Sequence, residues 1–512
     1  MLSSRTLDRR PRLTRSARFF LLTLLVVTAT AACKVAPAPT PLDHLHPCKN
    51  DEGPTDAYCG TLSVFENRDT KQGRTIALWI TVLPAIRTGA LDPVVFLAGG
   101  PGQGAAQLAR QIRAVFRKVQ GTRDIVLVDQ RGTGKSNPLN CRSTANTLAQ
   151  AMEPDEKALA KLEQCLKSYD ADVRFYGTNI AMDDLDDVRA FLGYDKVNLY
   201  GGSYGTRAAL VYLRRHGTHV RSMILDGVAP TDMRLPLFTS RDAQRALDKL
   251  LSDCEASLAC NQTFPGLRTR VRTLLERLAH TPPRVRVVHP RTGIEEEVQV
   301  EARVVAGILF NALYSPLTAS IVPALIEDAE HNDFQGMFAL GLSGGDGNDD
   351  NMSLGMRFSV LCTEDAGRVT ASDVERETAG TLFGRHLLGP QIAACEHWPK
   401  GTVEPTFYDP IVSDVPALVL SGDIDPVTPP AWGEMVVKYL KHGRHIVMPA
   451  TGHGVIGTPC GLQLVQDFID AASSASLDTS CVAAVHRPPF FVTPAGPEPA
   501  RPSAAGHAGG TR

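Results

Sequence analysis

The sequence has almost no net charge to attract a charged partner. Its 512 residues contain 53 lysines and arginines against 55 aspartates and glutamates, a formal net charge of −2 at pH 7. Nucleic-acid-binding proteins usually carry a clear basic excess. The composition therefore gives no support to a nucleic-acid partner, and no internal repeat is present. Its length and 43% hydrophobic content are sufficient for a full α/β core with an insertion.

Familiar cofactor motifs are missing or incomplete. The cysteines lack the C-x-x-C spacing of a zinc site. The segment Arg131 to Ser136 resembles a phosphate-binding loop, but Asp129 stands where that motif needs its first glycine. The acidic run at 346–351 resembles an EF-hand loop, but Asn351 and Arg357 occupy its glycine and glutamate positions. We predict no metal ion and no cofactor, and we interpret the acidic run as a solvated loop.

The N-terminal apolar run, Phe19 to Val27, is too short to span a bilayer comfortably. Six arginines precede it, so residues 1–32 are predicted to be an export signal. Ala31-Ala32-Cys33 resembles the end of a bacterial lipoprotein box, with Thr30 where leucine is usual, which predicts lipidation of Cys33 and possible membrane attachment. Ordinary cleavage after Ala31 is the alternative. The expected location is the periplasm or outer membrane, as a lipoprotein, or otherwise the secreted fraction.

The sequence has eleven cysteines, and an odd number cannot all be paired in disulfides within one exported chain. Lipidation of Cys33 would leave ten, enough for five disulfides. The sequence does not determine their connectivity. The prediction is that sequential neighbours pair: Cys48 with Cys59, Cys141 with Cys165, Cys254 with Cys260, Cys362 with Cys395, and Cys460 with Cys481.

The pentapeptide Gly201 to Gly205 is the most informative segment. It follows a β-like run, Lys196 to Tyr200, and opens a helical pattern, Thr206 to His216. This is the setting of a nucleophile elbow, in which a serine on a strained strand-to-helix turn is exposed above the sheet. The flanking glycines allow the strand and helix to approach each other. Ser203 is therefore the candidate nucleophile.

Short apolar runs on either side of the elbow favour a mostly parallel sheet flanked by helices. They lie at Pro93 to Leu97, Asp124 to Val128, Arg221 to Asp226 and Pro416 to Leu420. In such a sheet, the site lies at the carboxyl ends of the strands, where the glycine turns fall. The predicted fold class is α/β.

An acid and a base should follow the serine in the order Ser, Asp, His. Two carboxylates compete for the role of acid after the run ending in Leu420. Asp425 is favoured because it lies further beyond the strand end, whereas Asp423 is interpreted as a turn residue. His453 lies between two glycines on the loop after the last core strand, and it is the candidate base.

The attacked carbonyl would carry negative charge that backbone amides must stabilise. One donor is predicted to be the amide of Tyr204, directly after the nucleophile, and the other the amide of Gly100.

These motifs together resemble the proline iminopeptidase and tripeptidyl aminopeptidase group of α/β-hydrolases. The resemblance covers roughly residues 45 to 485 and rests on the segments 99–102, 129–134, 201–207, 225–228 and 422–429. Ala98 departs from the histidine that many iminopeptidases have there, while the Asp-Pro-Val-Thr-Pro segment favours the tripeptidyl branch. The resemblance implies serine peptidases that release short peptides or single residues from a free amino terminus, under an inserted helical cap.

The expected organisation has six parts. They are a signal peptide at 1–32, a Pro/Ala tether at 33–47, core segments at 48–229 and 410–486, a mainly helical cap at 230–409, and a disordered tail at 487–512. An aminopeptidase must bind a free ammonium group, and Glu364 and Asp365 are the candidate anchors. The prediction is an exported serine exopeptidase acting on short peptides. A carboxylesterase or lipase with the same triad is the alternative, and it would have an apolar pocket without that anchor.

Overall fold

The computed structural model describes residues 42–87, 92–141, 147–153, 155–343, 352–493 and 496–497. The predicted signal peptide, Cys33 and the acidic run at 346–351 lie outside the described residues. We find no helix in the described ranges with the length and apolar character needed to cross a membrane.

Most strands belong to one sheet. The strands are β1 (His46–Pro47), β2 (Tyr58–Phe65), β3 (Thr75–Leu83), β4 (Val94–Leu97), β5 (Ile125–Val128), β6 (Val197–Gly202), β7 (Val220–Asp226), β8 (Arg284–Val288), β9 (Glu295–Gln299), β10 (Ala417–Gly422) and β11 (Gly443–Met448). Nine of them form a sheet in the order β1-β2-β3-β5-β4-β6-β7-β10-β11. The pairs from β5 through β11 are parallel, and the pairs among β1, β2, β3 and β5 are antiparallel. The predicted mostly parallel α/β sheet is confirmed.

Helices cover the sheet and build the insertion. They are α1 (Ala109–Val115), α2 (Leu148–Ala151), α3 (Asp155–Ser168), α4 (Thr178–Phe191), α5 (Tyr204–His216), α6 (Thr239–Ala256), α7 (Leu258–Thr263), α8 (Leu267–His280), α9 (Ala302–Ala312), α10 (Pro316–Ala319), α11 (Val322–Glu330), α12 (Gln335–Ser343), α13 (Leu354–Val360), α14 (Ala371–Thr378), α15 (Gly389–His397), α16 (Pro430–Val437) and α17 (Pro459–Ala471). A π-helical turn, Leu361–Asp365, continues α13.

The central strands are apolar on both faces because helices cover both. One cluster packs Met182 of α4 and Leu210 of α5 against the sheet. A second cluster contains Ile112 of α1 and Phe468 of α17. Burial of these apolar surfaces supplies the main driving force for assembling the layers.

The cap has a separate core. Helices α6 to α15 and the β8–β9 hairpin lie between β7 and β10 in the chain, and residues such as Leu247, Leu274, Leu309 and Ile326 form its buried cluster. The cap is mainly helical, as the patterns at Ser240 to Ala256, Leu267 to Ala279 and Ile321 to Ala329 predicted.

Two predicted boundaries are wrong. His46 and Pro47, assigned to the tether, form β1 and pair with Cys59 and Tyr58 of β2. The first part of the predicted disordered tail is folded against the cap, where Arg487 pairs with Asp253 at 2.8 Å and Phe490 is buried in the cap core. The proline and alanine content of both segments had predicted disorder. In the structure, backbone pairing orders the first segment, and the contacts of Arg487 and Phe490 order the second.

All ten described cysteines form disulfides between the predicted sequential neighbours. The bridges close short loops in both the core and the cap, with sequence separations from 6 to 33 residues.

Candidate active site

Ser203 has the backbone expected of a nucleophile elbow. It lies between β6 and α5 with φ 56° and ψ −125°, a conformation that L-residues rarely adopt. The flanking glycines are sterically required, since a Cβ on Gly201 would lie 2.3 Å from Gly205 O, and one on Gly205 would lie 2.1 Å from Leu97 O. The turn therefore needs both glycines in order to present the serine.

The predicted oxyanion loop runs beside Ser203. A Cβ on Gly99 would lie 3.2 Å from the Ser203 Cβ. Gly100 has φ +109°, and a Cβ there would lie 2.8 Å from the Gly102 amide nitrogen. The close approach of this loop to the elbow thus depends on its glycines.

Asp425 and His453 are joined directly. The Asp425 Oδ2 lies 2.8 Å from His453 Nδ1, and the Thr428 hydroxyl donates to the same carboxylate oxygen at 2.8 Å. The other carboxylate oxygen accepts bonds from the amides of Val427 and Thr428, each at 2.8 Å. Both oxygens of this fully buried carboxylate therefore have hydrogen-bond partners.

Asp425 and His453 each shift the pKa of the other. Burial opposes the charge on Asp425, but the adjacent His453 and the backbone donors outweigh it, so the pKa of this carboxyl is lowered. Burial also disfavours the imidazolium, yet the Asp425 carboxylate raises the pKa of His453 above its ordinary value. The pair is arranged to stabilise a positive charge on the ring.

Asp423 does not contact the histidine ring among the described hydrogen bonds. Its Oδ1 accepts a bond from the Thr451 amide at 3.3 Å, which is the turn role expected for it. The geometry thus agrees with the preference for Asp425 over Asp423.

Asp226, at the end of β7, anchors the loop that carries His453. Its carboxylate accepts bonds from the amides of Val455 and Ile456, at 2.8 and 2.9 Å, and from the Tyr200 hydroxyl at 2.7 Å. Burial raises the pKa of Asp226, although these donors oppose the shift. Its acceptor sites are occupied by the protein itself.

A cavity of about 460 Å³ brings the candidate residues together. Ser203, Gly100 and His453 all line it. The rest of the wall is largely aromatic and apolar, with contributions from the core and the cap: Phe96, Phe116, Leu235, Phe310, Tyr314 and Leu387. Its volume is within the usual range for small-molecule sites.

The predicted ammonium anchors are wrong. Glu364 and Asp365 are buried and do not line the cavity. Both carboxylates face Arg207 of α5, whose Nη1 lies 2.8 Å from Asp365 and 3.3 Å from Glu364. Burial raises the pKa of each acid, and the guanidinium opposes that shift. Through Arg207 the two acids hold the nucleophile helix to the π-helical turn, and neither reaches the cavity in which a substrate would bind.

Several site residues were missed in the sequence. Thr428 supports Asp425 and lies within the Asp-Pro-Val-Thr-Pro segment, so the motif itself was an available signal. Arg245 of α6 binds the main-chain oxygens of the acid loop, and Arg357 and Gln391 line the cavity. These three lie in the cap, where no local pattern distinguishes them from surface residues.

Possible cofactor sites are already filled by protein groups. Asp129 accepts bonds from the amides of Ala106 and Lys135, so its carboxylate occupies the turn that resembled a phosphate-binding loop. One cluster among the described residues has metal-ligand geometry, namely Asp186, His216 and His219. Arg189 donates to Asp186 at 2.7 Å, so a cationic side chain already engages this carboxylate.

Two family models match separate parts of the chain. The model described as alpha/beta hydrolase fold matches residues 92–257, and the model described as TAP-like protein matches residues 381–481. Together with the sheet and the elbow, these matches establish that the chain has the α/β-hydrolase fold and is a serine hydrolase.

Three curated relatives within that class are named as peptidases. Serine protease Hip1 of Mycobacterium tuberculosis is 26% identical over 475 residues, which cover 85% of this chain and 90% of that protein. Tripeptidyl aminopeptidase of Streptomyces lividans is 29% identical over 195 residues, 34% of this chain and 36% of that protein. Proline iminopeptidase of Neisseria gonorrhoeae is 30% identical over 138 residues, 27% of this chain and 32% of that protein. The predicted resemblance to the proline iminopeptidase and tripeptidyl aminopeptidase group is confirmed.

Proposed function

We propose that the protein is an exported serine exopeptidase that hydrolyses short peptides near a free amino terminus. Ser203 is the nucleophile, His453 the general base and Asp425 the acid that orients it. The observation that carries this proposal is that one cavity is lined by both a serine at positive φ, Ser203, and His453, whose ring is bonded to Asp425 behind it.

The proposed reaction proceeds through an acyl-enzyme. Because His453 Nδ1 bonds to Asp425, its Nε2 is the nitrogen that takes the proton from Ser203 as the hydroxyl attacks the scissile carbonyl. The amides of Tyr204 and Gly100 stabilise the resulting oxyanion. The imidazolium then protonates the leaving amine, and a water activated by His453 hydrolyses the acyl-enzyme.

The cavity wall also favours a second candidate, a carboxylesterase. Asp226 is the only acidic side chain that the described residues contribute to this wall, and protein donors already occupy it. A largely apolar wall without an unpaired carboxylate to bind an ammonium group is what the esterase alternative requires. The peptidase remains our proposal because the named relatives are peptidases.

The test is a matched set of substrates given to the purified protein. One tetrapeptide is supplied with a free and with an acetylated amino terminus, beside a small p-nitrophenyl ester. Mass spectrometry of the products identifies the bond cleaved. Release from the amino terminus of the free peptide, reduced at least about tenfold by acetylation, supports the proposal. Ester hydrolysis without peptide cleavage supports the esterase instead.

Export and lipidation belong to the same proposal. Five disulfides in the structure are typical of proteins that mature in an oxidising compartment. The N-terminal sequence pattern also supports an export signal that ends before Cys33. Lipidation of Cys33 would attach the protein to a membrane.

A further inference from the structure

Arg357 is a cation built into the wall of the candidate active-site cavity. It lies on α13, in the middle of the cap sequence, and faces the same cavity as Ser203 and His453. Its Nη1 donates to Gly100 O at 3.2 Å, so the guanidinium lies against the predicted oxyanion loop. The charge is therefore close to the place where the substrate carbonyl would be bound.

A second bond holds the guanidinium in position. Its Nη2 donates to Gln391 Oε1 at 2.7 Å, and the Gln391 amide nitrogen donates in turn to Leu387 O at 2.8 Å. These two bonds engage one hydrogen on each terminal nitrogen. The five N–H donors of an arginine are not exhausted by them.

Arg357 differs from the other enclosed arginines near the site. Arg131 pairs with Asp184 at 2.6 Å, and Arg207 pairs with Asp365 at 2.8 Å. Both hydrogen-bond acceptors of Arg357 are uncharged, and no acidic side chain of the described ranges forms an ion pair with it. It is thus a cation whose counter-charge the described part of the protein does not supply.

A cation in this position favours the binding of an anionic ligand. Burial lowers the pKa of Arg357, yet an arginine stays protonated in proteins. Arg357 is partly buried, and the part of its charge that is removed from water without a counter-ion is unfavourable, so a ligand carboxylate would offset some of that cost. The planar guanidinium also matches a carboxylate in geometry better than an ammonium group does.

We propose that Arg357, oriented by Gln391, binds a carboxylate of the substrate. This inference rests on the proposed function, because it assigns a substrate class to the same cavity. The carboxylate has two sources in peptides: the C-terminus of a short peptide and an acidic side chain. In either case Arg357 selects substrates that carry a carboxylate, whereas the sequence suggested an acidic anchor for the substrate ammonium group.

The competing role for Arg357 is structural. Its bond to Gly100 O could serve only to hold the oxyanion loop. If Arg357 had only that role, its substitution would lower kcat/KM for every substrate by the same factor. A carboxylate-binding role changes the ratio between charged and neutral substrates, and this difference makes the two roles separable.

The experiment uses full-length protein and two matched peptide pairs. One pair differs only in a C-terminal carboxylate or carboxamide, and the other only in an internal glutamate or glutamine. We expect the wild type to prefer the anionic member of one pair in kcat/KM by at least about tenfold, equivalent to about 1.4 kcal/mol. Arg357→Met should bring that ratio close to one, and Arg357→Lys should retain part of it. Arg385→Met, an exposed cap arginine, is the control and should keep the full ratio.

Calorimetric titration of the same pairs into Ser203→Ala protein separates this inference from the proposed function. A binding preference that Arg357→Met abolishes supports the carboxylate site even if no peptide is cleaved. Equal losses for both members of each pair would assign Arg357 the structural role. A wild type without preference in either pair, in turnover and in binding, would overturn the proposal.

Discussion

Arg245 of the cap donates a hydrogen bond to the main-chain oxygen of Asp425 in the core, over 2.9 Å. Its other terminal nitrogen donates to the main-chain oxygen of Asp423 at 2.8 Å. A cap side chain therefore holds the loop that carries the proposed catalytic acid. This guanidinium couples the position of the cap to the geometry of the Asp425–His453 pair, as does the bond from the His453 amide to Tyr314 O at 2.9 Å.

Replacing Arg245 by methionine should lower kcat by about 10- to 100-fold, because small displacements of a catalytic group are costly. Loss of the Asp425–His453 contact should also move the acidic limb of the pH profile toward that of an ordinary histidine. Arg268→Ala, on the surface of cap helix α8, is the control. An unchanged pH profile in Arg245→Met would show that the contact does not position the acid.

The proposed triad makes a ranked prediction. Ser203→Ala and His453→Ala should each reduce turnover about 10⁶-fold, and Asp425→Ala about 10⁴-fold, since the three act as a unit. Asp423→Ala should have a far smaller effect because its carboxylate bonds only to a backbone amide. Steady-state kinetics on one substrate test the order. Ordinary activity in Ser203→Ala, or a larger effect of Asp423 than of Asp425, would contradict the assignment.

The pH dependence follows from the raised pKa of His453. A protonated imidazole cannot accept the Ser203 proton, so kcat/KM should fall as the pH decreases through the pKa of this histidine. Since Asp425 raises that pKa, the midpoint should lie above about 6.5, the ordinary value for histidine. In Asp425→Asn, residual activity should persist to lower pH. A midpoint at or below the ordinary value would contradict this account.

The buried Arg207 cluster should contribute to stability and not to selectivity. Arg207→Met leaves two buried carboxylates without their counter-ion and should destabilise the protein by about 3 to 5 kcal/mol, measured by urea unfolding. Adding Asp365→Asn should recover part of that loss. Glu364→Gln should leave the ratio between free and acetylated peptides unchanged. A shift in that ratio would restore Glu364 as a substrate anchor.

Lipidation of Cys33 predicts where the mature protein is found. The wild type should fractionate with membranes after loss of residues 1–32, whereas Cys33→Ser should stay soluble or unprocessed. Fractionation followed by N-terminal mass spectrometry tests this. A mature protein that begins with an unmodified Ala32 would show ordinary signal cleavage instead.

Features that depend on neighbouring residues could be predicted from the sequence. The strand-to-helix turn at Ser203 was predictable because it requires glycine at two fixed offsets, and the core strands were predictable because short apolar runs end in glycine turns. In both the turn and the strands, a local backbone constraint restricts which residues fit. The disulfide connectivity was left open by the sequence, and the structure shows that each bridge joins sequential neighbours at most 33 residues apart.

The pairing of the charged groups, in contrast, depends on the tertiary structure. Glu364 looked free in the sequence, but its partner Arg207 lies 157 residues earlier in the chain. Arg357 looked like one surface charge among many until packing brought it to Gly100, 257 residues away. A side chain's charge is encoded locally, but its counter-ion depends on which distant elements pack together. The residue that we propose to set selectivity could therefore be recognised only from the contacts that the folded cap makes with the core.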